Sequence, residues 1–180
     1  EVRDSILAAC GNLNLDKTEG PSVYPVIPRE VLAGQSVPGQ NWGKSSPEDA
    51  ASRSVFVHIK RSLAVPLLSV FDSADPDSPC PVRFTTTQPS QALALINSTF
   101  ANEQAAVFAR HLRRDAGNDA TACVKVAMTR VWQRSPSERE IARGVKYIED
   151  NMKQDNVSDD EALRRFCLLA INLNEFVYLD

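Results

Sequence analysis

The chain has 180 residues, of which 43% are hydrophobic and 24% charged, with a formal net charge of −3. That length supports one domain with a real core, and the composition excludes disorder throughout. The acidic balance argues against a general nucleic-acid binder, and no apolar run approaches the ~20 residues that span a bilayer.

Residues 1–10 (EVRDSILAAC) read as the end of a helix: Ile6 and Cys10 share a face, and Gly11 with Asn12 forms a stop. Without an initial Met and opening inside a helix, the chain is expected to be a piece of a longer parent, so the lack of a signal peptide says nothing about that parent. Residues 11–53 carry Pro21, Pro25, Pro28, Pro38 and Pro47 and lose all helical period. Val23, Tyr24, Val26, Ile27, Val31, Leu32 and Trp42 make this stretch too apolar for a free linker, so an ordered wrap is expected, with one helical turn in PREVLAGQ.

In RSVFVHIKRSL, Val55, Val57 and Ile59 alternate with Phe56 and His58, the period of a short strand. Its expected partner lies near 82–86. VPLLSVFD reads as a helix entered at Pro66 and ending near Asp72. TQPSQALALIN reads as a helix capped by Thr87 or Gln88, with Leu93 and Ile96 on its apolar face. Phe100, Val107, Phe108 and Leu112 trace the next stripe, closed by Gly117.

The helix that follows is capped by Asn118 or Asp119, and its stripe holds Cys123, Val124, Ala127, Met128, Val131 and Trp132. In SPSEREIARGVKYIEDNMKQ, Ser135 and Glu138 form a capping box around Pro136. Ser158 and Glu161 repeat the device before the last helix, where Leu163, Phe166, Cys167, Ala170 and Ile171 face inward. The fold class is therefore mainly α: a helical bundle over 98–180, behind a long Pro/Gly-rich wrap and one short β pair. The whole of 1–180 is read as one domain.

RSVFVHIKRSLAVPLLSVFDSADPDSPCPVRFTTTQPSQALALIN, with NLNEFVYLD at the end, resembles the planctomycete C-terminal family called domain of unknown function 1553. The lead-in words GPSVYP and GQNWGKS resemble it too. The positions that match its signature are Arg53, Arg61, Phe71, Asp72, Cys80, Arg83, Thr87, Pro89, Gln91, Asn97, Asn174, Glu175 and Phe176. The resemblance implies a C-terminal region of a large, exported, multi-domain protein with cytochrome-c-like or carbohydrate-binding-like modules upstream. It implies no catalytic residue, because no activity is established for the family.

Several residues are candidates for a site. Asp72, Asp75 and Asp77 could offer oxygens to calcium, although the spacing is not that of an EF-hand and aspartate is equally a turn residue. His58 with Asp72 could serve as base and orienter for Ser62 or Cys80, an arrangement without a supporting signature. Cys80 could be a reactive thiol near Arg83 or pair with Cys10. No two of the four cysteines make a C-x-x-C motif, and Cys123 and Cys167 fall on buried stripes.

Asn172, Asn174 and Glu175 interrupt an apolar helix end. With Arg61, Asp72, Arg83 and Asn97, the last two are read as a buried polar network, Glu175 facing Arg61 or Arg83. Tyr24 and Trp42 suit either sugar stacking or pinning the wrap, and pinning is the preferred reading. The expected function is a structural or interaction module that binds another domain of its parent or a cell-surface component, with no nucleic acid, membrane insertion or cofactor. The alternatives are a hydrolase-like site shared with an upstream domain, and a calcium-dependent carbohydrate-binding module.

Overall fold

The structure is a computed structural model that describes residues 1–82 and 86–178. Its regular elements are helical: ten α-helices and one 3-10 turn among the described residues, with only isolated β-bridges. The mainly-α expectation holds. The chain divides into two compact units, one of residues 1–7 and 13–95, the other of residues 8–12 and 96–180.

The first unit contains the start of α1 (Val2–Ala9), α2 (Arg29–Ala33), α3 (Pro47–Ala50), α4 (Pro66–Val70) and most of α5 (Pro89–Ile96). Its core is small: Val23, Ile27, Val57, Leu63 and Val65 are buried, with Leu32, Trp42, Phe56 and Leu68 packed against them. The wrap is thus ordered by its own apolar residues. Trp42 donates from Nε1 to the Pro25 carbonyl at 3.1 Å and meets Tyr24 edge-to-face at 5.5 Å, so both aromatics pin it. A Cβ on Gly43 would stand 2.7 Å from the Tyr24 ring, which makes this close approach specific to glycine.

The expected strand at 55–59 is not one. Ser54–Phe56 forms a 3-10 turn, and among the described residues the ladder contact of the stretch is one parallel bridge between Val23 and Val57. Val57 is buried, but Val55 and Ile59 are 73% and 62% exposed, so the alternation does not sort an inside from an outside. One bridge cannot hold a pleat over five residues. Of the partner segment, residues 83–85 lie outside the described residues.

Helix α5 also turns a different face inward. Gln91 and Leu95, four apart, are buried, while Leu93 and Ile96 are 60% and 50% exposed. Its start is fixed by Gln91, whose side-chain oxygen accepts from the Gln88 amide at 3.2 Å.

The second unit is the expected bundle. It packs α6 (Thr99–Ala116) and α8 (Glu138–Gln154) against both α7 (Ala120–Trp132) and α9 (Asp159–Ala170), with α10 (Asn174–Val177) against α7. The predicted stripe of α7 is buried at Cys123, Val124, Ala127, Met128 and Val131, and that of α9 at Leu163, Phe166, Cys167, Ala170 and Ile171. Gly117 caps α6 at φ 67° and Asp119 caps α7.

Helix α8 begins two residues later than expected. Its cap is Ser137, whose hydroxyl accepts from the Glu140 amide while the Glu140 carboxylate accepts from the Ser137 amide at 2.7 Å. SPSERE holds two S-x-x-E words. The second is used because Glu140 is also gripped by Arg134, at 2.8 and 3.2 Å. At α9 the cap is Ser158 as expected, but the Glu161 carboxylate turns to Arg164 and Arg165 instead of closing a box.

Residues 8–12 join this unit through α6. The His111 ring nitrogen Nδ1 donates to the Cys10 carbonyl at 2.9 Å, and Asn12 donates from its side chain to Gln104 at 3.0 Å. Gly11 has φ 72°, and a Cβ there would stand 2.7 Å from His111 Nδ1.

Candidate functional site

Of the residues singled out in 58–77, His58, Arg61 and Asp75 line one place in the first unit, and Ser62, Asp72 and Asp77 do not. A depression of about 310 Å3 is walled by His58, Arg61 and Asp75 and floored by Leu63, Val65 and Leu68. The segment after the Val23–Val57 bridge supplies one side, and Pro66 starts α4 so that Leu68 closes the floor. The acidic stretch supplies the rim.

That stretch is a stapled loop. Asp72 sits at φ 56°, which aspartate tolerates, and its carboxylate accepts from the Thr86 amide at 2.8 Å and hydroxyl at 2.9 Å. The buried Gln91 amide donates to the carbonyls of Val70 and Thr86, at 3.1 and 3.0 Å. Asp72, Thr86 and Gln91 thus clip the base of the loop onto the end of α4. Asp75 makes an Asx turn, accepting from the Asp77 amide at 2.9 Å and the Ser78 hydroxyl at 3.1 Å. Asp77 faces Arg61 at 3.4 Å, both well exposed. The three carboxylates therefore have separate partners, and among the described residues no three acidic, histidine or cysteine side chains converge as a metal-holding group.

The hydrolase arrangement does not form here. His58 stacks on Tyr24 and Trp42, with ring centroids 5.0 and 5.8 Å away, and Asp72 is spent on Thr86. Among the described residues no hydrogen bond joins His58, Asp72, Ser62 and Cys80 as base, orienter and nucleophile. Cys10 and Cys80 are free thiols, so the pairing considered between them is not made. Cys80 is exposed and donates to the Val82 carbonyl at 3.4 Å. Burial pushes the Cys10 thiol up to about 12 and raises those of Cys167 and Cys123, so all three are kept protonated and inert.

The expected polar network is redistributed. Glu175 pairs with Arg134, at 2.6 and 3.1 Å; Arg83 lies outside the described residues. Arg134 also holds Glu140 and stacks on Trp132, 4.6 Å from the ring. Asn97 and Asn174 are exposed, so neither is in a buried network, and Asn172 donates back to the Leu168 carbonyl at 2.7 Å.

Three anchors escaped the sequence reading. Arg3 is 3% exposed, and its guanidinium donates to the carbonyls of Ser52, at 2.9 Å, and of Ala50. Its neighbour Asp4 accepts from the Ser54 amide at 2.9 Å and its hydroxyl at 2.6 Å. The signal was available: Arg3 falls on the same face as Ile6, Leu7 and Cys10, and a cation on an apolar stripe implies a buried partner. Arg134 and Gly144 gave weaker signals, a cation before a capping word and a small residue on an apolar stripe.

With the site described, the comparisons with known proteins decide the family. The family model described as Protein of unknown function (DUF1553) matches residues 1–148. The chain belongs to this family. The match covers the clipped loop, the depression and α1–α7, and ends inside α8. Neither the curated proteins nor the solved structures contain a match to this DUF1553 chain.

Proposed function

We propose that the chain is a non-enzymatic interaction module of an exported, multi-domain planctomycete protein, seated on another domain of its parent or on a cell-surface component. The observation that supports this is the distribution of apolar surface. Of the large apolar side chains left well exposed among the described residues, eight fall in the first unit: Leu15, Val26, Val31, Val37, Val55, Ile59, Val82 and Leu93. Among the described residues, only Ile96, Met152 and Leu169 do so in the second. Scattered exposed aliphatics are ordinary, and their concentration in one of two units of equal length supports a surface that a partner covers. Export and the planctomycete source rest on the family resemblance. Among the described residues no helix is long and apolar enough to cross a membrane.

The test is amide hydrogen exchange on this chain alone and within its full-length parent. Residues 23–37 and 55–63 are expected to exchange more slowly in the longer protein. Equal exchange in both would overturn the reading.

A further inference from the structure

We propose that the exposed backbone of Val57–Ile59, beside the single Val23–Val57 bridge, takes an extended segment of a partner polypeptide as an added strand, seating an apolar side chain in the adjoining depression and a carboxylate beside Arg61. The proposal rests on the interaction-module reading and names the partner's chemistry.

Backbone geometry carries it. In an extended segment, successive residues send their N–H and C=O groups to opposite edges. Phe56 and His58 spend theirs on one side: Val23 donates to the Phe56 carbonyl at 2.7 Å and His58 donates to the Val23 carbonyl at 2.8 Å. Val57 and Ile59 face the other way, where the Val57 amide already donates to the Ser54 carbonyl at 3.1 Å. Among the described residues, the Val57 carbonyl and both backbone groups of Ile59 have no backbone partner. Such an edge is a template for one more strand unless a charge, a proline or a covering element blunts it. The residue at this edge is Ile59, 62% exposed.

The flanking surface selects the guest. Ile59 is also on the wall of the 310 Å3 depression floored by Leu63, Val65 and Leu68, which fits one large aliphatic or aromatic side chain from the added strand. Arg61, two residues on, is 78% exposed, and among the described residues it is held by the loose 3.4 Å pair with Asp77. A partner carboxylate near its apolar anchor would replace Asp77 with little to displace. The occupant is therefore an extended, alternating apolar segment with an acidic residue beside its anchor.

The probes are acetylated octapeptides alternating Thr with Val, Leu or Phe and carrying Glu at one end, added to the whole chain. Binding is followed by fluorescence anisotropy and by the amide signal and exchange rate of Ile59. At least one peptide is expected to saturate and to slow exchange at Ile59. Methylating its edge-facing backbone nitrogens should weaken binding about tenfold or more. Ile59→Pro should do the same without lowering Tm, because that amide has no backbone bond to lose. Arg61→Glu should weaken binding roughly threefold or more, recovered by Lys in place of the peptide Glu.

Equal binding of methylated and unmethylated peptides, or no response at Ile59 to any of them at about 1 mM, overturns the proposal. If the full-length parent still slows exchange at 55–63, the module docks on a folded surface and only the strand pairing falls. If it does not, both readings fall.

Discussion

Arg134 grips Glu175 with two hydrogen bonds, at 2.6 and 3.1 Å, and so ties α10 to the end of α7. The pair is half in water, so its effect should be local instead of global. Arg134→Ala is expected to speed amide exchange in Asn174–Val177 by about tenfold while leaving the main unfolding transition nearly in place. Unchanged exchange there would mean that packing alone holds α10.

The same guanidinium sets an acid limit. Its hydrogen bonds, followed by the bond from the Ser137 amide, hold the Glu140 carboxyl at about 2, down from 4.5. The folded value lies below the unfolded one. The stabilisation is therefore complete above pH 4.5 and disappears as pH falls toward 2. Thermal unfolding across that window should show a steeper loss for the native chain than for Glu140→Gln.

Gly144 lets α7 and α9 close on α8. A Cβ at this position would stand 2.7 Å from Val124 Cγ1 and 3.0 Å from the Phe166 ring. Alanine gains about 1 kcal/mol of helix propensity, but overpacking costs about 1–3 kcal/mol. Urea unfolding should find Gly144→Ala less stable, and Val124→Ala in the same chain should recover part of the loss.

Removing Arg3 should be more costly than removing any exposed cation. Desolvation already pulls its guanidinium below the usual arginine range, offset by the charge of Asp4. Arg3→Met leaves the Ser52 and Ala50 carbonyls without this donor and Asp4 without its ion pair, a loss of about 3–5 kcal/mol. Denaturant titration of the Arg3→Met chain measures it.

Calcium offers a direct test of the acidic loop. Because Asp72, Asp75 and Asp77 are engaged with Thr86, with the loop's own turn and with Arg61, Tm is expected to be the same in about 1 mM calcium and in EDTA. A rise with calcium that disappears in Asp75→Ala would make the loop a cation site.

How much could be read in advance follows the range of the forces involved. The bundle was legible because most of its helices state their boundaries and inner face within a few residues, as Asp119 and the Cys123–Val131 stripe do in α7. The first unit was not. Its core joins Val23 to Val57 and Leu63 across long loops, and no local period encodes those meetings. The pairing of Glu175 with Arg134 likewise depends on which helix ends of the bundle coincide in space. The Ser137 start of α8 was missed for a local reason: two identical capping words overlap, and only Arg134 decides between them.

The bonds from Cys10 to His111 and from Asn12 to Gln104 also bear on biosynthesis. Their partners are separated by 101 and 92 residues. At roughly 5–20 residues per second, a ribosome finishes the docking surface on α6 about 5–20 s after it has made the segment that docks there. Through that interval Cys10, wholly buried in the finished protein, waits in water. Residues 8–12 are thus made well before the surface that shelters them, and a chaperone that binds short apolar segments has its opening there.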